Sequence, residues 1–300
     1  MSAVHALTDL VAGSGARRIA FLGLAKNVGK TTALLGVLAE LARRGVLVGT
    51  TSAGRDGEEF DAITGEPKPR YRIAPGQLVA SAASTFEAAS FPAREIETLP
   101  FATRFGPIQV RRAEDWGEIE VIGPATASQL SGTAEALESA GAELLLLDGA
   151  VGRRAFAGAR VSDGVVLSVG MSAAGTLEGL VSAAAAAAEL VRLPRASGGL
   201  EGREHPGALT DDAVRANPPR SGDTLVVEDF TCVFLSPSTR RELADAGVRL
   251  AARRPSRLLA ATSNPTAPGR PPLPAARVHE AVKGALAPTP VFDLLADLPP

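Results

Sequence analysis

The segment Gly23-Leu24-Ala25-Lys26-Asn27-Val28-Gly29-Lys30-Thr31-Thr32 stands between two unlike patterns. Before it, Arg18–Gly23 is a short apolar run that reads as a buried strand. After it, Gly29–Arg44 carries Leu34, Leu35, Leu38 and Leu41 on one helical face. A glycine-bearing turn from strand into helix gathers backbone N–H groups and the positive helix end around one point, which is how a polyphosphate is cradled. In such a loop Lys30 would reach the β- and γ-phosphates and the Thr31 hydroxyl would hold Mg2+. Gly29 lets the backbone approach phosphate with no Cβ in the way. The expected nucleotide-binding residues are therefore Gly23, Lys26, Asn27, Val28, Gly29, Lys30, Thr31 and Thr32. An ordinary glycine–lysine turn before a helix is the bland alternative, and the strand–loop–helix context weighs against it.

Outward from this loop the chain alternates strand and helix patterns. Gly45 ends the helix and Val46–Thr51 reads as the next strand. Thr126–Ala140 is helical with Gly141 as its stop, and Glu143–Asp148 is a leucine run suited to a central parallel strand. Gly164–Gly170 repeats that pattern before an alanine-rich helix, Thr176–Leu193. Thr224–Glu228 and Arg257–Thr262 read as strands around a helix at Pro237–Ala246. This order predicts one α/β domain, a mostly parallel sheet with helices on both faces.

Two stretches break the rhythm. Asp56–Pro124 is punctuated by Pro and Gly and reads as a β-rich insertion over the carboxyl edge of the sheet. Within it, Ile108–Arg112 and Glu118–Ile122 alternate as a hairpin would. Pro194–Asp223 is rich in Gly, Pro and charge, and a mobile loop is expected there.

Further polar residues fall at predicted strand ends. Asp148 closes the leucine run, where an acid either holds the metal's water shell or orients an attacking water, or simply caps a turn. Lys30 and Asp148 are the expected catalytic pair, and Thr31, Asp56 and Asp148 the expected metal-holding set. Asp56 shares its loop with Glu58; each reads equally as a magnesium ligand or as part of a solvated acidic loop. Asn264 follows the last strand and could read adenine through N6 and N7, or could initiate an Asn-Pro turn. Arg153 and Arg154 would face phosphates or solvent. Ala183–Ala188 reads as close helix packing, and Cys232 as a buried, inert residue in an apolar strand.

Composition excludes several classes. The net charge is −2, which leaves no general nucleic-acid coat or polybasic membrane patch. One cysteine allows no internal disulfide, and it and the scattered His5, His205 and His279 lack zinc spacing. No apolar run reaches the roughly 20 residues of a spanning helix, and no targeting pattern opens the chain. A soluble cytoplasmic protein is the expectation. Only four lysines occur, and two of them, Lys26 and Lys30, share the loop.

The first loop glycine lies one position earlier than in the common P-loop, at Gly23 with Leu24 after it. This longer form resembles the loop of dethiobiotin synthetase and its relatives, a class of P-loop NTPases that includes cobyrinate amidases and MinD-type ATPases. The extra lysine of MinD-type enzymes falls five residues before the loop lysine; that position is Ala25 here, which weakens MinD-like dimerisation. Together with the loop, Thr51–Asp61, Thr64–Pro69, Leu147–Arg154 and Val227–Phe234 resemble the nucleotide-binding subunit of the reactivase for adenosylcobalamin-dependent lysine aminomutase. That resemblance spans roughly Arg18 to Leu295. It implies an ATP- and Mg2+-using factor that helps a cobalamin-dependent aminomutase exchange damaged cofactor, with a second reactivase subunit as partner. It is compatible with a homodimer. Two other readings stay open: an ATP-dependent small-molecule ligase of the dethiobiotin synthetase or cobyrinate amidase kind, and a non-catalytic nucleotide switch. The absence of an amidase cysteine–histidine context weakens the amidase version.

Overall fold

The computed structural model describes residues 2–53, 70–149, 158–196 and 202–294. A leading helix, α1 (Ala3–Gly13), precedes β1 (Arg18–Gly23), α2 (Lys30–Arg43) and β2 (Val48–Ser52). Next come β3 (Tyr71–Ile73), β4 (Leu78–Ala82), the short α3 (Ala83–Glu87), β5 (Ala93–Thr103), β6 (Gly106–Ala113) and β7 (Gly117–Ile119). The chain returns through α4 (Ala127–Ser139), β8 (Leu144–Asp148), β9 (Gly164–Gly170) and α5 (Leu177–Val191). Short elements follow: β10 (Arg203–Glu204), β11 (Leu209–Thr210), α6 (Asp211–Ala216), β12 (Thr224–Val227) and β13 (Val233–Phe234). Then α7 (Pro237–Asp245), β14 (Arg249–Ala252), β15 (Arg257–Asn264), α8 (Ala275–Leu286) and β16 (Val291–Phe292) complete the described chain.

The fold is α/β. Among the described residues, nine strands form one sheet in the order β16-β15-β9-β1-β8-β2-β4-β6-β5. Every neighbouring pair from β16 to β4 is parallel, and β6 and β5 add antiparallel at one edge. The leucine run shows why β8 lies in the middle. Leu144 and Leu146 join the core under α1 and α2, while Leu145 and Leu147 join the core under α4. Successive side chains point to opposite faces, so a strand covered on both faces must be apolar throughout. In β1, Ile19 and Phe21 face α1 and α2, whereas Ala20 and Leu22 face the core shared with α5 and α8. Thr126 and Thr176 cap α4 and α5 by accepting the N–H groups of Gln129 and Gly179. Ala184 and Ala188 are buried where α5 meets α8, as the close-packing reading of the alanine run expects.

Several expectations need correction. Residues 108–112 do form a strand, but its hairpin partner is β5, through a turn at Arg104–Phe105. Residues 117–119 pair instead with β3, as a separate two-stranded antiparallel ribbon. The described part of the insertion widens the main sheet through β4, β6 and β5, and it reaches the sheet's carboxyl edge through Tyr71 at Asp148 and through Val121 and Gly123 at Ser52. The stretch read as a loop at 194–223 carries β10, β11 and α6 among its described residues. Residues 224–227 form a strand outside the main sheet, in a three-stranded sheet ordered β10-β12-β14. Cys232 ends a single 3-10 turn and is half-buried, because Phe230 and Thr231 take the buried positions. Among the described residues no helix is long and apolar enough to cross a membrane.

Candidate functional site

The carboxyl ends of β1, β8, β9 and β15 meet around the Gly23–Thr32 loop. As β1 ends, the Leu24 N–H donates to the Ser168 carbonyl of β9 at 3.1 Å, and the chain then folds back on itself. A Cβ on Gly23 would sit 2.8 Å from Val28 Cγ2 and 3.1 Å from the Ala25 carbonyl oxygen, so the fold-back requires glycine. Asn27 and Gly29 both take positive φ, 59° and 88°, which turns the backbone into α2. Gly29 offers no side-chain cap, so the first-turn N–H groups of α2 carry their partial positive charge without an intramolecular acceptor from the cap. Val28 is buried under the loop, whereas Lys26, Asn27 and Thr32 are exposed.

Two residues hold the loop from below. Asn264, buried at the end of β15, donates its amide to the Asn27 carbonyl at 3.3 Å. Its oxygen accepts from the Thr266 N–H at 2.9 Å and the Thr266 hydroxyl at 2.8 Å. The asparagine thus forms the turn and supports the loop, the second of its two expected readings. Ser172 adds a second hydrogen bond to the Asn27 carbonyl at 3.3 Å. Gly170 ends β9 beneath them; a Cβ there would lie 2.9 Å from Val28 Cα and 3.1 Å from Asn264 Cβ. Sequence reading missed Gly170 and Ser172, since nothing local marks a strand end as the seat of a loop 145 residues away.

Asp148 closes β8 directly beside β1, in register with Phe21, and beside β2, in register with Ser52. Its Oδ1 pairs with Lys30 Nζ, both side chains being largely buried. Burial pushes the Lys30 ammonium down to about 7, and the carboxylate opposite works against that change. Oδ2 lies 3.4 Å from the Thr31 hydroxyl and accepts a 2.7 Å hydrogen bond from the Tyr71 hydroxyl. Burial raises the Tyr71 phenol above its ordinary range, so it stays a donor. Lys30, Thr31 and Asp148 therefore come together as expected. Tyr71 joins them unannounced by the sequence. Asp56, Glu58, Arg153 and Arg154 lie outside the described residues.

Beside the loop are two adjoining cavities. One, of about 480 Å³, is lined by Lys26, Asn27, Ser172, Pro268 and Arg270 among others. The other, of about 320 Å³, is walled by Met171, Leu177, Pro265 and Leu273, with Arg277 at its margin. Arg270 lines both and ties the two connecting loops by donating to the Ala174 carbonyl at 3.2 Å. Among the described residues no group of three His, Cys, Asp or Glu could hold a metal on its own. A hydroxyl and one carboxylate, Thr31 and Asp148, suit instead a magnesium ion whose remaining ligands are phosphate and water. No family model, curated protein or solved structure matches this chain.

Proposed function

We propose that the chain is a P-loop NTPase that binds Mg-ATP at the Gly23–Thr32 loop and hydrolyses it slowly. The observation that carries this reading is a buried lysine at the first position of an uncapped helix, paired with a carboxylate at the end of the neighbouring strand. A buried ammonium so placed is a poor structural device, because its desolvation is offset by one acid only. Next to exposed N–H groups, it is the right device for an anion. Lys30 would exchange Asp148 for the β- and γ-phosphates. Thr31 and Asp148 would hold Mg2+, which neutralises the phosphate charge that grows during transfer. Asp148 would also orient the attacking water. The base would lie in the apolar slot between Met171, Leu177, Pro265 and Leu273, with Asn264 and Ser172 keeping the loop in place.

The resemblance to the reactivase subunit makes a cobalamin-dependent aminomutase the proposed beneficiary, together with a second reactivase subunit. The exposed rings of Trp116, just before β7, and Phe234 of β13 offer surface for such partners. One observation keeps the ligase reading alive: Lys26 and Arg270 line the cavity nearest the loop, and two cations suit a small carboxylate acceptor. An inactivated aminomutase supplied with this protein, the neighbouring-gene products, ATP, Mg2+ and fresh adenosylcobalamin separates the two. Recovery that requires hydrolysable ATP and an intact Lys30 supports the reactivase. No recovery, with ADP release stimulated by a diamino acid and bicarbonate, assigns the chain to the ligases.

A further inference from the structure

Tyr71 is the sole tyrosine of the chain, and its buried hydroxyl donates to Asp148 Oδ2 at 2.7 Å. A phenol has one proton to give, and a hydrogen bond to a carboxylate is charge-assisted and directional. The two oxygens of Asp148 are thereby distinguished. Oδ2 is taken by Tyr71, with Thr31 at 3.4 Å, while Oδ1 is turned to Lys30 and the loop. When Lys30 leaves for phosphate, Oδ1 is the oxygen released, and the Tyr71 hydrogen bond prevents the carboxylate from rotating away.

Tyr71 also belongs to an element with no other duty at the site. It opens β3, in register with Ile119 of β7, and its ring, Ile73 and Ile119 share a core with Leu34 and Leu38 of α2. The next residue, Arg72, lies over the ring of Trp116, 5.4 Å from its centroid. Trp116 is the sole tryptophan and is 53% exposed, just before β7 begins. One backbone step therefore links the hydrogen bond on Asp148 to an indole at the surface.

We infer that Tyr71 is a positioning residue for Asp148, holding Oδ2 so that Oδ1 faces the metal, and that it makes the β3–β7 ribbon respond when the phosphate site fills. The inference rests on the nucleotide-binding reading above. Tyr71→Phe removes the hydroxyl and leaves the ring. The expected result is that half-saturating Mg2+ for turnover rises about tenfold or more, since the lost bond is to a charged group, while ATP affinity without metal is unchanged. In the wild type, Mg-ATP should change Trp116 emission, and in Tyr71→Phe that change should disappear. A purely structural tyrosine would lower the melting temperature and move neither readout, and that result overturns the inference.

Should Tyr71→Phe fail to fold, the intact hydroxyl supplies the second measurement. In a Trp116→Phe background Tyr71 dominates near-ultraviolet absorption, and magnesium tripolyphosphate is transparent there. Adding it should shift the tyrosine band as the charge opposite the phenol is engaged; an unmoved band overturns the inference. If the wild type binds neither ATP nor tripolyphosphate, the nucleotide reading falls and takes this inference with it. If the wild type binds both while Tyr71→Phe behaves like the wild type, the inference alone falls.

Discussion

The two ends of α2 handle charge in opposite ways. At the carboxyl end, Glu40 is 7% exposed and saturated. It accepts from Arg43 Nε at 2.8 Å and Arg43 Nη2 at 2.7 Å, from Arg44 Nε at 2.7 Å, and has His5 at 3.4 Å. Arg44 continues the network to Asp9 on α1 at 2.5 Å. At the amino end, Lys30 is buried against one carboxylate, beside first-turn N–H groups with no side-chain cap. Arg43 and Arg44 at the negative end also complement the helix dipole, whereas Lys30 stands at the positive end, where a cation is unfavourable. A saturated cluster stabilises the fold; a cation kept where the helix field repels it, with one carboxylate for partner, suits the phosphate site proposed above.

The largest expected effect lies at the unsaturated end. Lys30→Ala should weaken ATP binding by about a hundredfold or more, because charge-assisted contacts to phosphate are each worth ~1.5–3 kcal/mol. The variant should still unfold in one cooperative transition, since Tyr71 and Thr31 continue to hold Asp148. Calorimetric titration with ATP, beside a melting curve, checks both halves. Unchanged affinity in a folded variant would erase the contrast between the two ends of the helix.

How far the sequence disclosed this depends on whether each signal was local. The Gly23–Thr32 loop, β1, α2 and the Leu144–Asp148 strand were legible because glycine placement, helical periodicity and two-faced burial leave marks within a few residues. Asp148 was legible as the end of its strand. Tyr71 was not, because the acid it serves is 77 residues further on, and no local pattern links them. The hairpin was misread for a related reason. β6 alternates cleanly, but its true partner β5 is an edge strand, mostly exposed and including Arg94, Glu95 and Glu97, and its Ile96, Leu99 and Phe101 do not alternate along the strand. β4 hid among Pro and Gly punctuation, although all five of its residues are buried. The two-residue strands β10, β11 and β13 exist only through distant pairing, which composition cannot announce.

A middle-sized effect sharpens the role of the loop's support. Asn264 holds the Asn27 carbonyl and has its oxygen occupied by Thr266. Asn264→Ala should therefore weaken ATP and GTP binding alike, by about tenfold, the scale of one net hydrogen bond to the loop plus the Thr266 N–H that loses its acceptor. Competition binding of the two nucleotides decides it. A loss confined to ATP would return the residue to base reading.

The smallest effect belongs to the saturated end, and it should touch stability alone. The Arg43 guanidinium above all, with Arg44 and His5 assisting, holds the Glu40 carboxyl down at about 2 from an ordinary 4.5, against the opposing pull of burial. A carboxyl whose folded pKa is depressed contributes stability that is complete above its unfolded pKa. That contribution is lost as pH falls from 4.5 towards 2. Both arginines are open to solvent, so screening keeps the contribution of the network small. Glu40→Gln should accordingly lower the urea midpoint at neutral pH slightly, with the m-value unchanged, and leave ATP affinity untouched. The gap between variant and wild type should then narrow as pH drops below 4.5, because the carboxyl of the unfolded wild-type chain takes up a proton while that of the folded chain stays ionised until about pH 2. A gap that stays constant down to about pH 3 would mean that packing against α1, not charge, is what Glu40 supplies. A change in ATP affinity would mean that the two ends of the helix are coupled after all.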